Sequence, residues 1–249
     1  MKNPLKPTIL PWFTLGCGGL GLTLRLWLYR GIDEKGLLPA SHPSAALMFV
    51  LTALTLAVLF LCVRALKPGR KYAQLFPAGT GRALGCLAGA LGVLAGSVFQ
   101  LSINTGLLRL LILGTGVLAA LSLCVTAFCR LRGNRPSFLL HTVLTVFFML
   151  YTVGRCRLWS AEPQMQEYLF PLFACVSLML TGYYLAAFDI HRDSLNRLVF
   201  FNQTALFSCC LCLNGENRLF FLGMLLWLAL DLCDVHRFSS PAESSSEEA

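Results

Sequence analysis

The sequence has little charge. Only 13% of its 249 residues are Asp, Glu, Lys or Arg, whereas 56% are hydrophobic. A soluble domain carries about a quarter of its residues as charges, roughly twice the share found here. This shortage excludes a globular domain with a water-exposed surface and predicts that a lipid bilayer surrounds the chain.

The chain also lacks a soluble basic domain. Its formal net charge is +8, with 20 Lys and Arg against 12 Asp and Glu, but the basic residues are spread over loops between apolar blocks. Such residues belong beside the anionic lipids of the cytoplasmic leaflet, so nucleic acid is not expected as a partner. Residues 239–249 are small, polar and acidic, and they are predicted to form a disordered tail.

Motifs of catalysis are missing as well. The sequence contains no G-x-S-x-G, no H-E-x-x-H and no P-loop. No ionised side chain lies near the centre of an apolar block, although proton-coupled carriers and voltage sensors usually need one there. These absences favour a non-enzymatic protein without a cofactor. They leave open a carrier that uses hydroxyls, amides and backbone carbonyls.

What the chain does have is eight long apolar blocks, which predict membrane-spanning helices. Backbone groups in lipid must pair within their own segment, so helices are the default. The sequence therefore predicts an all-α polytopic bundle, residues 1–238, in which the last two spans are short and seven spans are the alternative to eight. The blocks cover residues 10–29, 44–63, 83–103, 107–128, 137–154, 168–188, 198–213 and 218–235.

The loops differ in basic charge. When they are assigned alternately to the two sides of the membrane, most Lys and Arg fall on the side of the N-terminus. The positive-inside rule then places both termini in the cytoplasm. With seven spans the C-terminus would lie outside.

Glycines recur at helical spacing in the third block. Gly81, Gly85 and Gly89 are four residues apart, and Gly92 and Gly96 repeat the spacing. Small residues at this spacing form a flat face that another helix can approach closely. We expect packing within the bundle, with the glycine-rich first block as partner. A homodimer seam, or contact with a partner membrane protein, is the alternative.

Several polar residues near the cytoplasmic ends of the blocks need partners. His141, Asn202 and Gln203 lie deepest, and they predict hydrogen bonds between helices or a cytoplasm-facing pocket. The acids Asp189 and Asp231 lie near helix ends, where we expect ion pairs with basic residues such as Arg130. A carboxylate–histidine metal site that also uses His236 is the alternative. Cys209 and Cys212 form a C-x-x-C pair, for which packing is favoured over metal or redox chemistry.

Two stretches that contain Arg-Leu-Trp follow apolar blocks on the extracytoplasmic side, at 24–36 and 154–168. Trp and Arg at these positions are typical of interface anchoring, but anchoring does not require the acids beside them. The charges predict a network that joins the outer loops and binds a partner, a lipid or a small ligand. Its candidate residues are Arg25, Asp33, Glu34, Arg155, Arg157, Trp159 and Glu162.

Four stretches resemble a family of polytopic membrane proteins from Gram-positive anaerobic bacteria. They are "DEKGLLP" (33–39), "RPSFLLH" (135–141), "RLWSAEPQMQEYLF" (157–170) and "YYLAAFD" (183–189). That family has no assigned activity, so the resemblance implies no catalytic residues. It implies a multi-pass protein of a bacterial plasma membrane. A small-solute carrier is the alternative to a binding protein, followed by a lipid-modifying enzyme that would use His141, Asp189, Asp231 or His236.

Overall fold

The computed structural model describes residues 9–31, 42–64, 79–103, 105–159, 165–190 and 195–237, and the side chains of 158–159, 165–167 and 233–237 are outside this description. Within these ranges the chain forms eight α-helices, as the apolar blocks predict. They are α1 (Leu10–Arg30), α2 (Pro43–Arg64), α3 (Thr80–Ile103), α4 (Leu107–Leu131), α5 (Phe138–Trp159), α6 (Met165–Asp189), α7 (Leu195–Leu211) and α8 (Arg218–Arg237).

Five of the described helices are long and apolar enough to cross a membrane: α2, α3, α4, α5 and α6. The protein is therefore a multi-span helical membrane protein. Helix α7 has only 17 residues, among them Asn202, Gln203, Thr204 and Ser208. Its composition is explained by its place in the bundle, because every residue from Asn202 to Cys212 is buried.

Helices α3 to α8 form a closed ring in which each helix packs on the next and α8 returns to both α7 and α3. Helices α1 and α2 pack on each other and on the outside of α7. The main core runs through the ring, with Phe148 and Tyr151 of α5 against Phe220 of α8. Because α7 contacts helices on both sides, it is enclosed by protein, whereas α2 keeps many large apolar side chains exposed.

The glycine-rich face of α3 packs within the chain, as expected. Its partner, however, is α8 and not the first helix. A Cβ on Gly92 would lie 2.9 Å from the Cα of Gly223, and one on Gly89 would lie 3.0 Å from the Cβ of Trp227. Because lipid gives helices no hydrophobic reason to associate, such close packing supplies much of their attraction. Two glycines of α1 serve another contact, in which Gly18 lies against Cys210 and Gly21 against Leu211 of α7.

Candidate functional site

The bundle has two ends, named by the connections they hold. The α7–α8 end carries the turn 212–217, and the α6–α7 end carries the connection between α6 and α7. Both ends concentrate charged residues that are buried by helices distant in sequence. Of the predicted binding residues, Arg25, Arg155 and Arg157 have described side chains, and they lie at the α7–α8 end.

At the α7–α8 end, Arg25 of α1 reaches the last turn of α7. Its Nη1 donates a hydrogen bond to the carbonyl oxygen of Leu211 at 2.7 Å, and its guanidinium lies 5.7 Å from the ring centroid of Tyr29. The final carbonyls of a helix have no partner within that helix, and a cation there also complements the helix dipole. Only 3% of Arg25 is exposed, so its charge is used as a cap on α7.

Helix α5 holds the same turn from another side. Arg155 Nη2 donates to Glu216 Oε2 at 3.1 Å, and the guanidinium lies 5.6 Å from the ring centroid of Phe99. Next to this pair, Asn217 Nδ2 donates to the hydroxyl of Tyr151 at 2.7 Å. The end of α7 is thereby attached to α1 and the turn 212–217 to α5, and we call this arrangement the turn brace (Arg25, Tyr151, Arg155, Glu216 and Asn217).

The turn brace brings together two of the predicted site residues, Arg25 and Arg155. Arg157 is exposed in the last turn of α5. Asp33, Glu34 and Glu162, and the side chain of Trp159, lie outside the described residues, so a network between them and the arginines stays a prediction. Sequence reasoning missed Glu216. The position of Glu216 in the sequence could have predicted an ion pair, because an acid in a tight connection between two short apolar blocks needs a basic residue nearby.

At the α6–α7 end, His141 and Asp189 form a buried pair. His141 Nδ1 lies 2.6 Å from Asp189 Oδ2. Arg135 donates hydrogen bonds to the carbonyl oxygens of Phe188 and Asp189, the first at 3.3 Å. The arginine thus caps the end of α6 while the histidine binds its last side chain. The expected bond between helices is confirmed for His141.

A second buried pair joins α4 and α8. Arg130 Nη1 lies 3.4 Å from Asp231 Oδ1, with both side chains 3% exposed. This confirms the expected ion pair for Asp231. Removing a charge pair from water is costly, so the pair is stable only with close geometry and further polar contacts.

The predicted alternative of a metal site concerns the His, Cys, Asp and Glu side chains of the described residues. They contain no group of three or more His, Cys, Asp or Glu that could hold an ion, and the side chain of His236 lies outside them. Cys209 and Cys212 are buried free thiols, and the amide of Cys212 donates to the carbonyl oxygen of Cys209 at 3.1 Å. Cys212 therefore belongs to the turn that ends α7, and the pair is packed in the core.

No protein-family model, curated protein or solved structure matches the chain. The resemblance drawn from the four sequence stretches stays a prediction.

Proposed function

We propose that the chain is an eight-span protein of a bacterial plasma membrane, with both termini in the cytoplasm. The packing of α1 on α7 supports an even number of reversals between them. Leu10 clusters with Val199, Gly18 lies against Cys210, and Arg25 reaches Leu211. Because residue numbers rise together along both helices, α1 and α7 run in the same direction. The α7–α8 end is then the extracytoplasmic one.

In this proposal the protein is a binding protein without catalytic activity, and the extracytoplasmic end is its binding surface. The observation that carries the proposal is the turn brace. It attaches the end of α7 and the turn that follows it to α1 and α5 through buried arginines, while 71% of the Glu216 side chain remains exposed. Arg157, two residues after Arg155, is exposed as well. A fixed turn with exposed charges suits recognition, because little order has to be imposed when a ligand binds.

The test is ligand binding by the purified protein in lipid nanodiscs. A panel of phospholipids and anionic metabolites is screened by thermal shift, and hits are repeated with Arg157→Gln and Glu216→Gln. We expect a stabilising ligand whose effect is lost in these variants and kept in Arg109→Gln, an exposed arginine at the start of α4. A wild-type protein without any ligand shift or stable partner would contradict the proposal.

A small-solute carrier is the second candidate. It is favoured by the amide of Gln203, which is fully buried in α7 and has no hydrogen-bond partner in the part of the chain that the structure describes. A lipid-modifying enzyme is less well supported. Two of its predicted groups, His141 and Asp189, bind each other, and a third, Asp231, is paired with Arg130.

A further inference from the structure

The junction of α1, α2 and α7 contains an apolar layer near the α6–α7 end. Leu10, Leu59 and Val199 form one buried cluster there together with Val63. Phe60 and Phe200 contact each other beside it, with ring centroids 6.2 Å apart. These contacts place Leu10, Leu59 and Val199 at one level along the axis of the bundle.

A polar layer follows directly above this apolar layer. One turn toward the α7–α8 end, Leu10 is followed by Thr14, Leu59 by Thr55 and Val199 by Gln203. Residues four apart lie on the same face of a helix, so all three point into the same junction. Thr14 and Gln203 are 0% exposed and Thr55 is 1% exposed.

The three polar side chains are not hydrogen-bonded to one another. Thr14 Oγ1 donates to the carbonyl oxygen of Leu10 at 2.9 Å, and Thr55 Oγ1 donates to that of Leu51 at 2.7 Å. Both hydroxyl protons are therefore used within their own helices, and the oxygens remain acceptors. Neither Nε2 nor Oε1 of Gln203 has a hydrogen-bond partner among the described residues.

A buried amide with both ends unsatisfied is unusual, because nearly all buried polar side-chain atoms have a hydrogen-bond partner. This amide offers two N–H donors and a carbonyl acceptor. The segments around the layer, residues 10–18, 51–59 and 199–207, contain no Asp, Glu, Lys or Arg. A matching molecule is therefore small, uncharged and equipped with both a donor and an acceptor.

We propose that Thr14, Thr55 and Gln203 form a binding site for a small neutral amide or polyol, with Gln203 as its main hydrogen-bonding group. Gln203 lies eight residues from the start of α7 at Leu195, which is about 12 Å along the helix. Thr14 lies four residues from the start of α1 at Leu10, about 6 Å along that helix, so the site lies in the half of the bundle nearer the α6–α7 end. The site adds a substrate class to the carrier candidate, and its physiological meaning rests on that candidate. It is independent of binding at the extracytoplasmic end.

The experiment observes Gln203 directly. The full chain in nanodiscs is labelled with side-chain ¹⁵N-glutamine, and the Gln203 signal is assigned by its loss in Gln203→Leu. Acetamide, which has both a donor and an acceptor, is titrated as the probe. N,N-dimethylacetamide, which lacks the donor, is the control ligand. We expect a saturable shift of the Gln203 signal with acetamide and a weaker one with the control ligand.

Matched variants separate binding from folding. Thr55→Val removes an acceptor at nearly constant volume, and we expect it to weaken acetamide binding by about three- to tenfold, as the loss of one hydrogen bond does. Thr126→Val is the control, because Thr126 is equally buried in α4 and its hydroxyl makes the same bond to the carbonyl four residues before it. This control is expected to leave acetamide binding unchanged.

Each outcome decides the matter. A saturable shift that Thr55→Val weakens and Thr126→Val does not would support the site. A Gln203 signal that contacts water but responds to neither amide would overturn it, because the layer would then hold water only. Equal effects of the two valine variants would also overturn it. Acetamide flux into proteoliposomes tests the carrier separately, since binding without flux would retain the site and remove the carrier.

Discussion

Helices α2 and α7 are neighbours that meet opposite surroundings. In α2 only 22% of the apolar span is buried by protein, and Leu54 is 60% exposed. In α7 all residues from Asn202 to Cys212 are buried. The lipid-facing helix is almost purely apolar, while the enclosed helix contains amides, hydroxyls and thiols. Low hydropathy in α7 therefore reflects enclosure by other helices, which replaces lipid with side chains that can hydrogen-bond.

The largest expected effect concerns Asp231, whose charge is buried by the surrounding helices. Replacing Asp231 with Leu should lower the free energy of unfolding by about 3–5 kcal/mol, because Arg130 then stays buried without this carboxylate. Unfolding by SDS in mixed micelles measures the change. The double variant Arg130→Met/Asp231→Leu should recover most of the loss. A double variant as unstable as the single one would show that the ion pair is not the cause.

Two leucines test the comparison of α2 and α7 directly. Leu206→Ala in α7 should cost about 2–5 kcal/mol, because a fully buried side chain leaves a cavity. Leu54→Ala in α2 should cost at most about 0.5 kcal/mol, since lipid chains refill the space at an exposed position. The same SDS unfolding assay compares them. Equal costs would contradict the assignment of α2 to lipid and α7 to protein.

Two glycines compare a helix face that touches another backbone with a helix face that touches nothing. Gly92→Ala should cost about 1–3 kcal/mol, because the new Cβ would meet the backbone of Gly223, which cannot move as a side chain can. Gly19→Ala on α1 is the control, since nothing lies within 4 Å of its Cβ position. Unfolding of the two variants is measured side by side. A stable Gly92→Ala protein would argue against the close packing of α3 on α8.

The smallest effect is expected at the exposed part of the turn brace. Glu216→Gln should cost at most about 1 kcal/mol, because its pair with Arg155 is open to water on one side. The cost should fall with added salt, which screens exposed pairs. A loss of several kcal/mol that is insensitive to salt would mean that Glu216 is a buried structural group.

The positions of the helices could be predicted from sequence, because apolar runs of this length have few other structures available in lipid. The enclosure of α7 could not, since hydropathy reports the surroundings that a segment tolerates and not which helices supply them. Arg25 and Arg155 were recognised from their places at helix ends. Arg25 donates to a backbone carbonyl of α7, and no residue pattern reveals such a contact. The sequence marks Asn202 and Gln203 as deep polar residues, but it does not show that Gln203 faces the junction of α1, α2 and α7.

The most direct test of enclosure uses tryptophan fluorescence with brominated lipids, which quench rings that touch the acyl chains. In a background with all native tryptophans replaced by Phe, Leu54→Trp reports on α2 and Phe207→Trp reports on α7, where Phe207 is fully buried. We expect strong quenching at position 54 and little at position 207. Equal quenching at the two positions would contradict the account of α7 as a helix held inside the protein.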